Sequence, residues 1–506
     1  MKSQKNKYFL SAIVALIVCS CGDDKFNEII PLPDPSENTG GNENQNDPIS
    51  RNEQYRPQIH FTPGANWMND PNGMVYADGI WHLYYQYNPS GNDWGNMSWG
   101  HAISNDLIHW EEQSVAMTPN KYGDIFSGSA IYDKDNVAGF GQGAILAFYT
   151  ANGSHQQQCL AYSTDGGNTY NQYEGNPIIP NNDMPDFRDP KVFYHAETGK
   201  YIMVLAKGWD CSIDIWGSSN LKSWSKLSEF RIDKARCNVG QWECPDLIKL
   251  PYKGGEKWVL IVSTNPGGPA SGSGTFYFVG EFDGEKFIAD DLDYPLWLDS
   301  GSDNYAGVTW SNSPSGRIVY LGWMNNWNYA GAVPCSPWRS AMTLPREIVL
   351  ADMNGSPVIS TTVVEELTNI SGEWRDASNG ICEGGKAYEI KVSLDLSKNH
   401  SFKLGNDAGE YVSIDINTGA GKVIMGRSAS SGVVSFNGLF SLPGISAPYD
   451  RDLDILELHL YVDQSSVELI SADGKTAITC LVFPTSVYNK ITGEDNVTYR
   501  VLDSIW

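Results

Sequence analysis

Five conspicuous positions recur along the first two thirds of this 506-residue chain, near residues 70, 126, 189, 243 and 305, in steps of 56, 63, 54 and 62. Between them lie short apolar and aromatic runs, such as Trp81-His82-Leu83-Tyr84-Tyr85 and Ala144 to Tyr149, broken by Gly, Asn, Asp and Pro. No stretch here holds a helical period for long, which is the pattern of short strands. A turn also repeats: Ser104-Asn105-Asp106-Leu107-Ile108-His109-Trp110 returns as Ser218-Ser219-Asn220-Leu221-Lys222-Ser223-Trp224. Units of about 60 residues fit five blades of four short strands each. In a propeller the equivalent strand of every blade lines one channel, so residues far apart in sequence converge at its end. The expectation is an all-β chain whose first domain is a five-bladed β-propeller over 51–351.

Two further turns keep the rhythm. Ser163-Thr164-Asp165-Gly166-Gly167-Asn168-Thr169-Tyr170 resembles the Asp-box turn of sialidase-type propellers, and Phe282-Asp283-Gly284-Glu285-Lys286-Phe287 falls where the next turn belongs. From 352 the texture changes. Leu456 to Val462 alternates apolar and polar residues, as half-buried antiparallel strands do. With Tyr388 to Leu396, Tyr411 to Ile416 and Ala477 to Phe483 it predicts a C-terminal β-sandwich over 352–506, read as an accessory domain.

The N-terminus reads as an export signal over residues 1–20. Lys2, Lys5 and Lys7 precede an apolar run, Tyr8 to Val18, that is too short to span a bilayer. Ser20-Cys21 resembles a bacterial lipobox, which implies cleavage before Cys21 and its lipidation. Gly22-Asp23-Asp24 is similar to the acidic export signals of Bacteroidetes surface lipoproteins. Residues 21–50 are rich in Pro, Asn, Glu and Gly; such a segment cannot bury enough surface to order itself and reads as a tether. The expected location is the outer membrane, facing the cell surface, with a periplasmic orientation as the alternative and the lipid as the sole membrane attachment.

A net charge of −25 without a basic stripe argues against nucleic acid and other polyanions as partners. Seventeen Trp and 26 Tyr offer faces for sugar rings, although core filling accounts for most of them. Nine cysteines include Cys19 and Cys21; the seven left are an odd number and form no CxxC pair. The eight histidines show no metal-ligand spacing, so neither a metal nor a cofactor is expected.

The chemistry centres on Trp67-Met68-Asn69-Asp70-Pro71-Asn72-Gly73. Pro71 biases Asp70 toward an extended conformation, and Asn72-Gly73 predicts a tight turn behind it. Asp189 in Phe187-Arg188-Asp189-Pro190 and Glu243 in Trp242-Glu243-Cys244-Pro245-Asp246 share its rhythm. Each carboxylate alone is as easily an Asx-turn, Arg-paired or strand residue. Three at blade spacing predict a carboxylate triad. Two carboxylates flanking a sugar acetal suit glycoside hydrolysis, one attacking and one protonated. Packing between Trp242 and Cys244 would raise the pKa of Glu243 toward the acid role.

Trp67 to Gly73, Phe126-Ser127-Gly128-Ser129, Arg188-Asp189-Pro190 and Glu243-Cys244 together resemble the motif set of glycoside hydrolase family 32, the β-fructosidases. Tyr85-Gln86-Tyr87-Asn88-Pro89, Gly322-Trp323-Met324, Met342 to Glu347 and Ser465 to Leu469 extend the likeness over nearly everything from Gln58 to Trp506. The resemblance implies Asp70 as nucleophile, Glu243 as acid/base and Asp189 as transition-state stabiliser. It implies a fructosyl subsite of Asn69, Gln86, Trp94, Phe126, Ser127, Arg188 and Trp323. It further implies a retaining mechanism through a fructosyl-enzyme ester on Asp70, with a fructan as the partner. The tether favours a polymer over sucrose and chain-internal cutting, and levan is favoured slightly over inulin. The alternatives are an exo-acting fructanase or invertase, an inverting arabinan-type hydrolase, a sialidase, and a non-catalytic glycan-binding propeller.

Overall fold

The computed structural model describes residues 51–506 apart from 182, 234, 235 and 238. The expected signal (1–20), the tether (21–50) and Cys21 lie outside the described residues. From Asn66 to Val363 the chain forms five sheets, each built on four antiparallel strands. Their first strands are Asn66–Ala77, Asp124–Asp133, Phe187–His195, Gln241–Tyr252 and Tyr305–Thr309. These five pack side by side around a common axis. Trp338–Arg339, from the fifth blade, pairs in parallel with Asn66 and Trp67, and Ser311 bridges to Val75; together they close the ring.

The repeated turns occupy equivalent places, between the third and fourth strands of successive blades. In each, an Asp or Asn side chain caps the turn. Asp106 Oδ1 accepts from the amides of Ile108 and His109, Asn220 Oδ1 from those of Lys222 and Ser223, and Asp283 Oδ1 from those of Glu285 and Lys286. The seam between blades is aromatic, for example Trp242 with Phe230, Phe276 and Phe278.

Two sequence expectations change here. Asn72-Gly73 does not turn the chain; the strand continues to Ala77, and these residues form a second bulge between Asn72 and Val75. Gly73 has φ +51, and a Cβ there would lie 2.6 Å from the Trp99 ring, so only glycine fits this close approach. The domain boundary expected at 351/352 falls inside a hairpin. Arg346–Met353 pairs with Ser356–Val363, so the fifth sheet ends at Val363. The alternation of polar and apolar residues across this outer hairpin mimics the half-buried strands that follow.

The sandwich pairs a six-stranded sheet with a five-stranded one over an aliphatic core that includes Ile390, Leu404, Ile414, Leu458 and Leu469. It is joined to the propeller by a buried polar network. Arg346 donates to Asp299 (2.9 Å), to Thr479 (2.6 Å) and to Glu468; His60 bridges Asp463 and Glu468, at 2.8 Å to each. Arg427 donates to Asp303 at 2.8 Å and to Tyr329 at 3.0 Å. None of the Arg346, Asp299, Glu468, His60 and Asp463 side chains is exposed. Buried charges persist only when fully paired, and here each has its partners. All seven cysteines among the described residues are buried.

Candidate active site

Each of the five inner strands carries a one-residue bulge at the same end of the channel. The registers slip between Met68 and Pro71, Ile125 and Gly128, Arg188 and Lys191, Glu243 and Asp246, and Tyr305 and Val308. A bulge bends the strand and re-aims side chains out of strict alternation. Asp70, Ser127, Asp189, Glu243 and Tyr305 all sit at these bulges. Asp189 (φ +64) and Cys244 (φ +48) take left-handed backbone that a non-glycine residue adopts at a cost, and such strain concentrates at functional sites.

The bulges open on a pocket of about 470 Å³. Its floor holds three carboxylates and one guanidinium. Asp70 Oδ2 accepts from Ser127 Oγ at 2.6 Å, and its Oδ1 accepts from Asn69 Nδ2 at 3.0 Å. Asp189 Oδ2 accepts from the Cys244 amide at 2.9 Å. The Cys244 thiol lies 3.7 Å from Asp70 Oδ2 and 3.6 Å from Asp189 Oδ2, and so ties the two carboxylates together. Glu243 accepts from Arg188 Nη2 at 2.5 Å on one oxygen and from the Tyr305 hydroxyl on the other. The Arg188 fork also donates to Asp186 at 2.5 Å and Gln156 at 3.2 Å. A planar guanidinium bridging three acceptors fixes its own plane and theirs.

Burial raises the pKa of Glu243 above the ordinary carboxylate range, and the charges of Asp70 and Asp186 add to this, against the opposing pull of Arg188. Burial also pushes Asp189 up to about 7, with Glu243 and Asp70 reinforcing it and Arg188 opposing. Burial beside these acids holds the Cys244 thiol well above its usual range, so it is a neutral donor rather than a nucleophile. Trp242 contributes nothing to the pocket. Strand alternation sends it into the core between blades, and Glu243 is enclosed instead by Cys244, Arg188 and Tyr305.

Of the residues expected from the sequence, Asn69, Asp70, Gln86, Trp94, Phe126, Ser127, Arg188, Asp189 and Glu243 line this pocket. Trp94 stands half exposed at the mouth, edge-on to Phe126 at 6.1 Å. Trp323 is a correction. It is fully buried, donates to the Met68 carbonyl at 3.2 Å and packs at a tilt behind the wall against Trp67 and Trp327. The tryptophan that reaches the pocket is Trp327. Six polar or acidic lining residues were not foreseen: Asn152, Gln156, Asp186, Gln241, Asn265 and Tyr305. Tyr305 alone carried a signal, its place in the blade rhythm. Among the described residues no group of three His, Cys, Asp or Glu side chains is placed to hold a metal ion.

Beneath the carboxylates the channel is closed. The void there, about 20 Å³, is too small for a sugar ring; Lys191 lines it, with its Nζ bonded to Asp246 at 2.9 Å and to the Thr309 carbonyl at 2.6 Å. The site is therefore a blind pocket that can bring a protonated carboxyl and an ionised carboxylate to bear on one bond.

Residues 60–361 match the Glycosyl hydrolases family 32 N-terminal domain and residues 358–501 the Glycosyl hydrolases family 32 C terminal domain. A levanase of Bacillus subtilis is 45% identical over 456 residues, covering 85% of this chain and 67% of its own. An extracellular exo-inulinase of Aspergillus niger is 38% identical over 485 residues, covering 85% of this chain and 90% of its own. Among solved structures, exo-inulinase from Aspergillus awamori superposes with a TM-score of 0.82 at 34% identity, over 90% of this chain and all of that one. A β-fructofuranosidase from Schwanniomyces occidentalis, complexed with fructosyl-erythritol, superposes at 0.78 with 32% identity, over 89% and 98%.

Proposed function

The chain belongs to glycosyl hydrolase family 32, and from that premise we propose that it removes terminal fructosyl units from levan through a covalent intermediate on Asp70. At the coarser level it is a glycoside hydrolase of β-fructofuranosides. The observation that carries the finer reading is the convergence of Asp70, Asp189 and Glu243 on three bulges around one guanidinium, at the floor of a pocket closed from below.

In this reading Asp70, oriented by Ser127 and Asn69, attacks the anomeric carbon of the bound fructosyl unit. Glu243 gives its proton to the departing oxygen, then takes one from the water that hydrolyses the ester. Asp189 faces the ring as positive charge builds on it. The raised pKa of Glu243 suits an acid that must hold its proton near neutral pH. The outcome would be retention at the anomeric carbon.

A blind pocket takes a chain end, whereas internal cutting needs a groove open on both sides. That geometry, with the exo-inulinase relatives, favours end-clipping over the chain-internal action that the tether suggested. Levan is favoured over inulin by the greater identity to the Bacillus levanase. An anchor at Cys21, with residues 21–50 as a tether, would hold the enzyme outside the cell beside its polymer.

The test is product chromatography on levan, inulin and sucrose, with an Asp70→Asn control, and NMR of the first-formed fructose anomer. Fructose as the sole early product, fastest from levan and absent in the control, is the expected result. Early oligosaccharides would restore internal cutting, and inverted fructose would remove the covalent intermediate.

A further inference from the structure

A second cleft lies at the far end of the channel, where no role has been assigned. Ala77, one of its residues, is seven positions beyond Asp70 on the same strand, about 23 Å away. The cleft encloses about 570 Å³, more than the carboxylate pocket. It runs between blades one and two, bounded by the hairpin turn at Asp78 and by the Asp165 turn that repeats the blade rhythm.

Its buried polar element is His82, 4% exposed. His82 Nδ1 is hydrogen-bonded to His101 Nε2 at 3.1 Å, and its Nε2 has no partner among the described residues. The ring cannot swing away. His82, His101 and Tyr84 stack nearly parallel, at 5.3 Å and 4.3 Å between neighbouring rings, and the Tyr84 hydroxyl is pinned to the Gly167 carbonyl at 3.0 Å. Burial holds both imidazoles neutral near pH 7, with His82 pushed down to about 4 and His101 to about 3.

Around His82 the rim offers polar groups, most of them neutral. Asn168 Nδ2 is spent on the Asp165 carbonyl at 2.7 Å, which leaves its Oδ1 without a partner among the described residues. The Asp165 carboxylate locks that turn through Ser163 and Thr169. The Tyr132 hydroxyl donates to Asp78 at 2.6 Å, while the Lys134 and Gln142 side chains have no hydrogen bond or ion pair among the described residues. Three isoleucines, Ile80, Ile103 and Ile145, supply an apolar shelf.

Donors and acceptors on mostly neutral groups, set beside an apolar shelf, match the hydroxyl rim and C–H face of a sugar. A purely apolar ligand would bury these polar groups unpaired. A polyanion would meet Asp78, Asp165 and a chain of net charge −25. We propose that the cleft over His82 is a second, non-catalytic saccharide site that holds a distal unit of the polymer whose end is in the carboxylate pocket. The inference rests on the fructan reading above. A second contact on one chain raises the effective concentration of chain ends at the first, and a disaccharide cannot use it.

The test compares the unaltered protein with a Lys134→Ala/Gln142→Ala double variant, and separately with Asn168→Ala. Lys134 and Gln142 make no protein contact by hydrogen bond, so the double variant should fold normally. Sucrose kcat/KM should stay within about twofold, while the levan KM rises at least about fivefold and retardation in levan-containing native gels falls. Unchanged levan KM and retardation in both variants would overturn the proposal. Equal losses on sucrose and levan would mark the cleft as structural only. Failure of the unaltered protein to cleave any fructoside would instead remove the fructan reading and this inference with it.

Discussion

Among the described residues Arg188 is the one cation that lines the pocket, and replacing it with Gln should move the whole pH profile of the enzyme to the alkaline side. The guanidinium donates to Glu243 at 2.5 Å and favours the ionised form of both Glu243 and Asp189. Arg188 and Glu243 are largely buried, 12% and 17% exposed, so solvent screens this pair little. A hydrogen bond to a charged group contributes about 1.5–3 kcal/mol, and one pKa unit corresponds to about 1.4 kcal/mol. Loss of the cation should therefore raise the pKa of Glu243 and move the limb it governs by about 1–2 pH units. A general acid with a higher pKa keeps its proton to higher pH, so the basic limb of kcat/KM moves up. In the proposed mechanism Asp189 acts ionised, and it also loses its cation, so the acidic limb moves the same way. Because kcat/KM reports the free enzyme, the empty-site geometry is the relevant one. The assay is sucrose hydrolysis from pH 4 to 9 for the parent, Arg188→Gln and Arg188→Lys. Arg188→Lys keeps the charge but not the fork that spans Asp186, Gln156 and Glu243. Its limbs should stay within about half a unit while its rate falls. A stationary or acid-shifted profile in Arg188→Gln would refute the electrostatic reasoning.

Four further outcomes are expected. Ser127→Ala removes the 2.6 Å bond that orients Asp70 and should lower kcat/KM about 10- to 150-fold, with the fold unchanged by circular dichroism. Trp327→Ala should raise the KM for sucrose. Trp323→Phe should leave KM within about twofold and lower Tm by roughly 1–3 °C, because it leaves the Met68 carbonyl unpaired; a large KM change would return Trp323 to the pocket. His60 tests the seam between the domains. Burial disfavours its charge, but Asp463 and Glu468 outweigh this and push its pKa up to about 9 from 6.5. A raised pKa means the stabilisation is complete below pH 6.5 and is lost as pH climbs through 9. A shift of that size corresponds to roughly 3 kcal/mol, or roughly 3 °C in Tm for a chain this long. The Tm gap between the parent and His60→Gln should narrow between pH 6 and 10, and a constant gap would show that His60 is not charged in the folded protein.

The residues legible in the sequence were those whose spacing the fold itself imposes. Each blade contributes one inner strand, and each inner strand bulges at the same height, so Asp70, Ser127, Asp189, Glu243 and Tyr305 keep the period of the blades. The turn motifs kept it too, because an Asp or Asn cap is needed wherever a third strand folds back to a fourth. What stayed hidden were the residues outside that period. Asn152, Gln156, Gln241 and Asn265 sit at strand ends, where polar side chains are the norm for turns and carry no distinguishing mark. The Asp186 carboxylate is held by the Arg188 fork, a contact no spacing announces.

The two tryptophans of Gly322 to Trp327 show why a correct motif still misassigned a residue. Trp323 lies within a regular strand opposite Tyr305, where alternation decides its face, and that face is the packed core against Trp67. Trp327 follows in the loop after the strand ends at Met324, free of alternation, and stacks on Trp67 and packs at a tilt against Trp323 while it lines the pocket. The bulges do the same for the carboxylates. In an unbroken strand, Asp70 and Pro71 would face opposite sides, and the pleat would dictate which residue met the channel. One inserted residue per blade releases that constraint at a single height, so the pocket is made where the regular strand geometry is interrupted.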